Sequence, residues 1–161
     1  MKKSATNVLK HIVIDSLRLI IKEIDNLSDS DIKIIIDKET EDSDTKSIQT
    51  ILTHTIFSGH GYINYISEKI GIYQTPVKKN LLNSTYDYKL ALERLIDCFE
   101  SMAFNLNDDM IEETNIDKKI VTSWKQTYDI EQLMEHAIVH NYRHLYQIKN
   151  YHQKIKTLKV D

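Results

Sequence analysis

Residues 129–155 read DIEQLMEHAIVHNYRHLYQIKNYHQKI, and this stretch decides the fold. With His140 set at zero on a wheel of about 100° per residue, Ile130, Leu133, Met134, Ala137, Ile148, Tyr151 and Ile155 gather on one arc centred at about 70°. A single apolar arc sustained over so many turns is a helix with one side against a core. Asp129 followed by Gln132 has the pattern of a capping box, so this helix is expected to begin close to Asp129.

Working back toward the N-terminus, Asn107 to Thr127 is polar and long for a loop, which predicts a structured connection carrying Trp124, either a wall of the pocket or, the favoured reading, a plug for the bundle end. Leu92, Leu95, Ile96, Phe99, Met102, Ala103 and Leu106 mark a third helix, opened by Ser84 with Asp87 in its first turn. Ile48, Ile51, Leu52, Thr55, Gly59, Tyr62, Ile63, Ile66 and Ile70 define a second helix, started near Lys46 and ended by Gly71. Gly59 and Gly61 lie inside it at a cost of roughly 1 kcal/mol each relative to Ala, which close approach of a neighbouring helix, the favoured reading, or of a ligand would offset. Val8, Leu9, Ile12, Val13, Leu19, Ile20, Ile24 and Leu27 give the first helix, and Ser28 to Asp44 reads as a crossover. The expected fold is all-α, a four-helix bundle with long connections forming one domain over residues 1–161.

Composition narrows the function. A chain of 161 residues is long enough to bury a core without a disulfide or a structural metal, so a metal here would serve chemistry. Lys and Arg number 21 against 24 Asp and Glu, a net charge of -3. No basic block occurs beyond the short Lys2-Lys3 start, which argues against a nucleic-acid partner. The apolar runs are interrupted by charges well short of a membrane span. The one cysteine, Cys98, falls in the core-like pattern of the third helix and reads as an inert buried thiol. With no leader sequence at the start, a reducing cytoplasm is the expected compartment.

Among the seven histidines, His136, His140 and His144 are spaced four apart on the last helix. His144 falls at about 40° on the wheel, inside the apolar arc, His140 at its margin, and His136 at about -40°, further toward solvent. Imidazoles at i and i+4 on an inward face stand one above the other and can reach one ion, as in helical zinc sites. The alternative use is as core polar groups bonded to backbone. A third ligand must come from another helix, and His54, at the border of the apolar arc of the second helix, is better placed than His60, which points away. His11, His60 and His152 are expected to be solvated surface side chains. His136 is either a helix-surface residue or a hydrogen-bonding neighbour of a ligand.

The segments Ile51-Leu52-Thr53-His54-Thr55-Ile56 and His136-Ala137-Ile138-Val139-His140-Asn141-Tyr142-Arg143-His144-Leu145-Tyr146-Gln147-Ile148 resemble, in order and separation, the two metal motifs of the DinB/YfiT-like proteins. Trp124 to Gln132 and Ser58 to Tyr62 are similar to a bacterial subgroup of that family. The resemblance implies a bundle with a three-histidine site for a divalent ion, usually zinc or nickel, with His54, His140 and His144 as ligands. It also implies a low-molecular-weight thiol as a candidate co-substrate, because the family includes thiol-dependent S-transferases. This chain departs from many members in carrying Leu145-Tyr146 where they have Arg-Gly or Arg-Arg after the last ligand.

The leading expectation is a metal-dependent enzyme that activates a thiol, as an S-transferase, or water, as a hydrolase, for a small-molecule substrate. Tyr62 and Tyr65 share a side of the second helix with His54 and could orient that substrate, although core packing is the commoner use of such tyrosines. Glu131 and Glu135 lie far from the metal arc and read as solvated faces rather than general bases. The competing class is a non-catalytic bundle, metal-binding or dimerising, with a structural or sensing role. A homodimer fits a bundle of this size, although no apolar stripe outside the expected core demands one.

Overall fold

Each long helix begins where a side-chain oxygen meets the free amides of its first turn. Ser4 accepts from the Asn7 amide, Ser47 from Thr50, Ser84 from Asp87 and Asp129 from Gln132. Such caps satisfy amides that have no partner within the helix. They launch α1 (Ala5–Ile24), α2 (Ile48–Lys69), α3 (Thr85–Ala103) and, after a single turn α4 (Asp108–Ile111), the long α5 (Ile130–Leu158) in a computed structural model that describes residues 4–159. Gly71, with φ +78°, ends α2 as expected. The Ile72 amide donates back to Ser67 and the Gly71 amide to Glu68, which closes the helix in a left-handed turn.

α1 packs on α3 and α5, and α2 packs on the same two helices, so the order around the bundle is α1, α3, α2, α5. Helices consecutive in sequence, α1 with α2 and α3 with α5, therefore stand on diagonals, and the chain crosses over twice. The first crossover contains two short 3-10 turns, Asp31–Lys33 and Ser43–Thr45. The second contains α4, a third such turn at Ile116–Lys118, and a hairpin in which β1 (Ile120–Val121) pairs antiparallel with β2 (Thr127–Tyr128). The expected all-α bundle with long connections is what the chain forms. Ile20, Ile51, Leu52, Leu92, Leu133 and Ile148 are wholly buried in one shared core, each contributing roughly 1.5–3 kcal/mol of transfer free energy.

Several expectations need correction. The apolar stripe assigned to α1 is too wide, because Val8, Ile12 and Leu19 are exposed. They lie about 120° around the helix from the middle of the buried face formed by Leu9, Val13, Leu17, Ile20 and Ile24. Cys98 is exposed rather than buried, because it sits about 100° from the centre of the α3 face that buries Leu92, Leu95 and Phe99. α3 stops at Ala103, and Leu106 packs on the core from the connection instead.

The two glycines inside α2 separate in role. A Cβ on Gly59 would come within 2.6 Å of Leu95, so this glycine lets α3 approach; a Cβ on Gly61 would meet nothing within 4 Å. No helix among the described residues is long and apolar enough to cross a membrane. Lys2-Lys3 lies outside the described residues.

Candidate metal centre

α2 and α5 pack side by side, and the seam between them brings three imidazoles together. His144 is 2% exposed, with His54 and His140 half-buried beside it. Nε2 of His140 lies 3.0 Å from Nε2 of His54 and 3.1 Å from Nε2 of His144. Among the described residues these three form the one cluster of His, Cys, Asp or Glu close enough to hold a metal ion.

Proton accounting explains why the arrangement favours a cation. Nδ1 of His54 is 2.8 Å from Oδ2 of Asp44, and Nδ1 of His144 is 2.7 Å from Oε1 of Gln147. Both acceptors take the Nδ1 proton, which leaves a lone pair on each Nε2 in the neutral ring. His140 has one proton to offer. On Nε2 it serves one neighbour and leaves the lone pair of the other without a ring proton, with its own Nδ1 buried and unpartnered. On Nδ1 it leaves three lone pairs facing one another, with the N–H itself buried and unpartnered. A metal ion at the meeting point removes the repulsion, and zinc with bonds of about 2.0–2.1 Å in a tetrahedral set holds its nitrogens roughly 3.4 Å apart, near the observed separations.

Electrostatics keep the rings in the ligating form. Burial, reinforced by the neighbouring histidines and Arg143, pushes His140 down to about 3. Burial also pushes His144 down to about 4, against the opposing effect of the hydrogen bond it donates to Gln147. Both are neutral at neutral pH, as metal binding requires. Burial alone would raise the Asp44 carboxyl, but the Lys79 hydrogen bond, the Lys79 charge and the contact with the His54 ring outweigh it and leave the group lowered and ionised. Asp44 thus fixes the tautomer and the orientation of His54.

The other expected site residues surround the cluster. His136 stacks on Trp124 at 5.8 Å and on His140 at 6.4 Å between ring centroids, and burial lowers its pKa. Tyr62 is buried with its ring edge-on to His140 at 5.7 Å, and burial raises its hydroxyl pKa well above the usual range. Tyr65 accepts the Ser123 amide at 2.7 Å and so ties the β1–β2 hairpin to α2. A cavity of about 670 Å³ opens on the cluster, with His54, His140, Tyr62, Tyr65 and Trp124 among its walls. Trp124 is therefore a wall of the cavity and not a plug, held there by the hairpin. Neither Glu131 nor Glu135 reaches this cavity.

No family model matches the chain, and no curated protein and no solved structure matches it either. The site therefore stands on its own residues.

Three residues of the site were missed by sequence reasoning. Asp44 and Gln147 orient two of the rings, and the hydroxyl of Ser58 lies 3.3 Å from Nε2 of His54. Gln147 at i+3 from His144, and Ser58 at i+4 from His54, carry a helical-spacing signal that could have found them. Asp44 carries none, since it comes from the crossover. Of the histidines set aside as surface groups, His11 is exposed and His60 is half-buried, with a pKa lowered by burial. His152 is 5% exposed and bonded to Glu23 at 2.8 Å, so the surface reading fails there: it sits on the side of α5 that α1 covers.

Proposed function

We propose that this chain is a DinB/YfiT-like protein that holds one divalent ion, zinc or nickel, through Nε2 of His54, His140 and His144, and that it is a metal-dependent enzyme of S-transferase or hydrolase type. The observation that carries this reading is the convergence of three Nε2 atoms, two of them committed to lone pairs by Asp44 and Gln147. The likeness of the His54 and His136–Ile148 segments to that family's two metal motifs supports it. An ion held there supplies Lewis acidity that lowers the pKa of a thiol or a water and so provides a nucleophile near neutral pH.

The chain's own residues do the rest. Asp44 and Gln147 hold two imidazoles in register, and His140 presents its Nε2 between them. The Ser58 hydroxyl lies within reach of a group approaching His54 and can orient it by a hydrogen bond. Tyr62, Tyr65 and Trp124 wall the approach, giving a small-molecule substrate an aromatic surface and excluding water from one side. The cavity beside a cluster of three candidate ligands among the described residues favours an enzyme over a closed structural site. An exposed free thiol at Cys98 suits a reducing compartment such as the cytoplasm.

The test is a panel of low-molecular-weight thiols with a chromogenic electrophile, and of activated esters, run on zinc-loaded, nickel-loaded and chelator-stripped protein. Turnover that appears only with metal is the expected result. Bound metal without turnover on any thiol or ester would leave a non-catalytic metal-binding bundle as the function.

A further inference from the structure

The cavity does not end at the metal centre but follows α2 beyond it. Its lining on that helix runs from His54 through Ser58, Gly61 and Tyr65 to Glu68, about 21 Å of axis at 1.5 Å per residue. Gly61 marks open floor along this path, since a Cβ there would meet nothing within 4 Å. Close packing explains Gly59 and leaves Gly61 unexplained, while the helix would be more stable with a side chain at that position. Phe57, Tyr65 and Trp124 supply aromatic surface along the path.

The charges differ between the two ends. Near the histidines, Lys79 and Asp44 are paired with each other. At the far end Glu68 is exposed and takes part in no ion pair among the described residues. An ion on three neutral imidazoles makes the near end positive, and Glu68 makes the far end negative.

Resting on the metal-centre reading above, the geometry points to an elongated substrate class: an electron-rich, metal-coordinating head at the three histidines, an apolar middle lying over Gly61, and a cationic end, such as a primary ammonium, at Glu68. The middle gains contact with the aromatic walls, and the ammonium gains Glu68 together with the adjacent ring faces.

Alkyl hydroxamates test this, because the hydroxamate group coordinates zinc while the chain is varied. Zinc-loaded protein, its stoichiometry first checked by elemental analysis, is titrated calorimetrically with acetohydroxamate, octanohydroxamate, dodecanohydroxamate and the ω-amino derivative of the last. Affinity should rise by more than about tenfold from the shortest to the longest chain, with a further gain of roughly threefold from the amino group. Gly61→Leu should keep the zinc and the acetohydroxamate affinity but abolish the gain with length. Glu68→Gln should remove only the amino-group gain. Zinc bound with affinity indifferent to chain length, long chains unaffected by Gly61→Leu, or no amino-group gain would overturn this inference and leave the metal reading intact. Wild-type protein that takes up no zinc would overturn both.

Discussion

α5 buries two histidines about two turns apart, His144 and His152, and their surroundings separate a proposed ligand from a structural group. Both are nearly inaccessible, at 2% and 5% exposure. Both direct Nδ1 at an oxygen, Gln147 at 2.7 Å for the first and Glu23 at 2.8 Å for the second. The difference lies at the other nitrogen. Nε2 of His144 meets Nε2 of His140 in the seam with α2, with His54 in the same cluster, whereas His152 faces α1 and makes a hydrogen bond to Glu23 that links two helices. Burial and a satisfied Nδ1 are common to both, and only convergence on a shared point sets the proposed ligand apart.

The strongest way to break this comparison is to remove each ring in turn. His144→Ala should reduce bound zinc from near one equivalent to near none in elemental analysis. His152→Ala should leave that stoichiometry unchanged while lowering unfolding stability by about 1–3 kcal/mol, because Glu23 loses the group that satisfies it. Equal metal loss from both variants would show that the site depends on the general integrity of α5 and not on the converging nitrogens.

A smaller effect is expected one step out from the proposed ligands. Asp44→Asn keeps the shape of the side chain but removes the charge that holds the Nδ1 proton of His54, and should weaken zinc binding by about 10–100-fold in competition with a chromogenic chelator. The folded bundle should be little affected, since Asp44 lies in the crossover at the edge of the core. Affinity equal to wild type would mean that His54 is oriented by packing alone.

How much of this was legible in the sequence follows from which contacts are local. Helix starts at Ser84 and Asp129 and the stop at Gly71 were readable, because caps and left-handed turns are written within a few residues. The three-histidine cluster was readable because two of its members share one helix face and the third lies at the edge of a second such face. His152 falls at about 120° on the same wheel, level with the buried Met134, so the phase was available; an arc drawn around its centre undervalued its edge. Val8, Ile12, Leu19 and Cys98 failed in the opposite sense, since an apolar residue near a stripe is not on it until the neighbouring helix fixes the width of the contact. Asp44 was beyond reach, and for Trp124 the sequence offered both wall and plug without the means to choose between them. Their positions depend on how two crossovers fold over the bundle, and no periodicity encodes that.

The finest distinction concerns the two Nδ1 acceptors. Gln147→Ala strips His144 of its partner and frees its tautomer, so zinc affinity should fall by up to about tenfold, less than for Asp44→Asn because a neutral amide orients a ring more weakly than a carboxylate does. Glu23→Gln leaves His152 an oxygen to donate to, so zinc affinity should be unchanged and stability should fall by no more than about 1 kcal/mol. Calorimetric zinc titration and thermal unfolding of the two variants side by side measure both quantities. If Glu23→Gln weakened zinc binding as much as Gln147→Ala, the contact with α1 would be coupled to the metal centre through α5, and the separation of the two histidines into ligand and strut would fail.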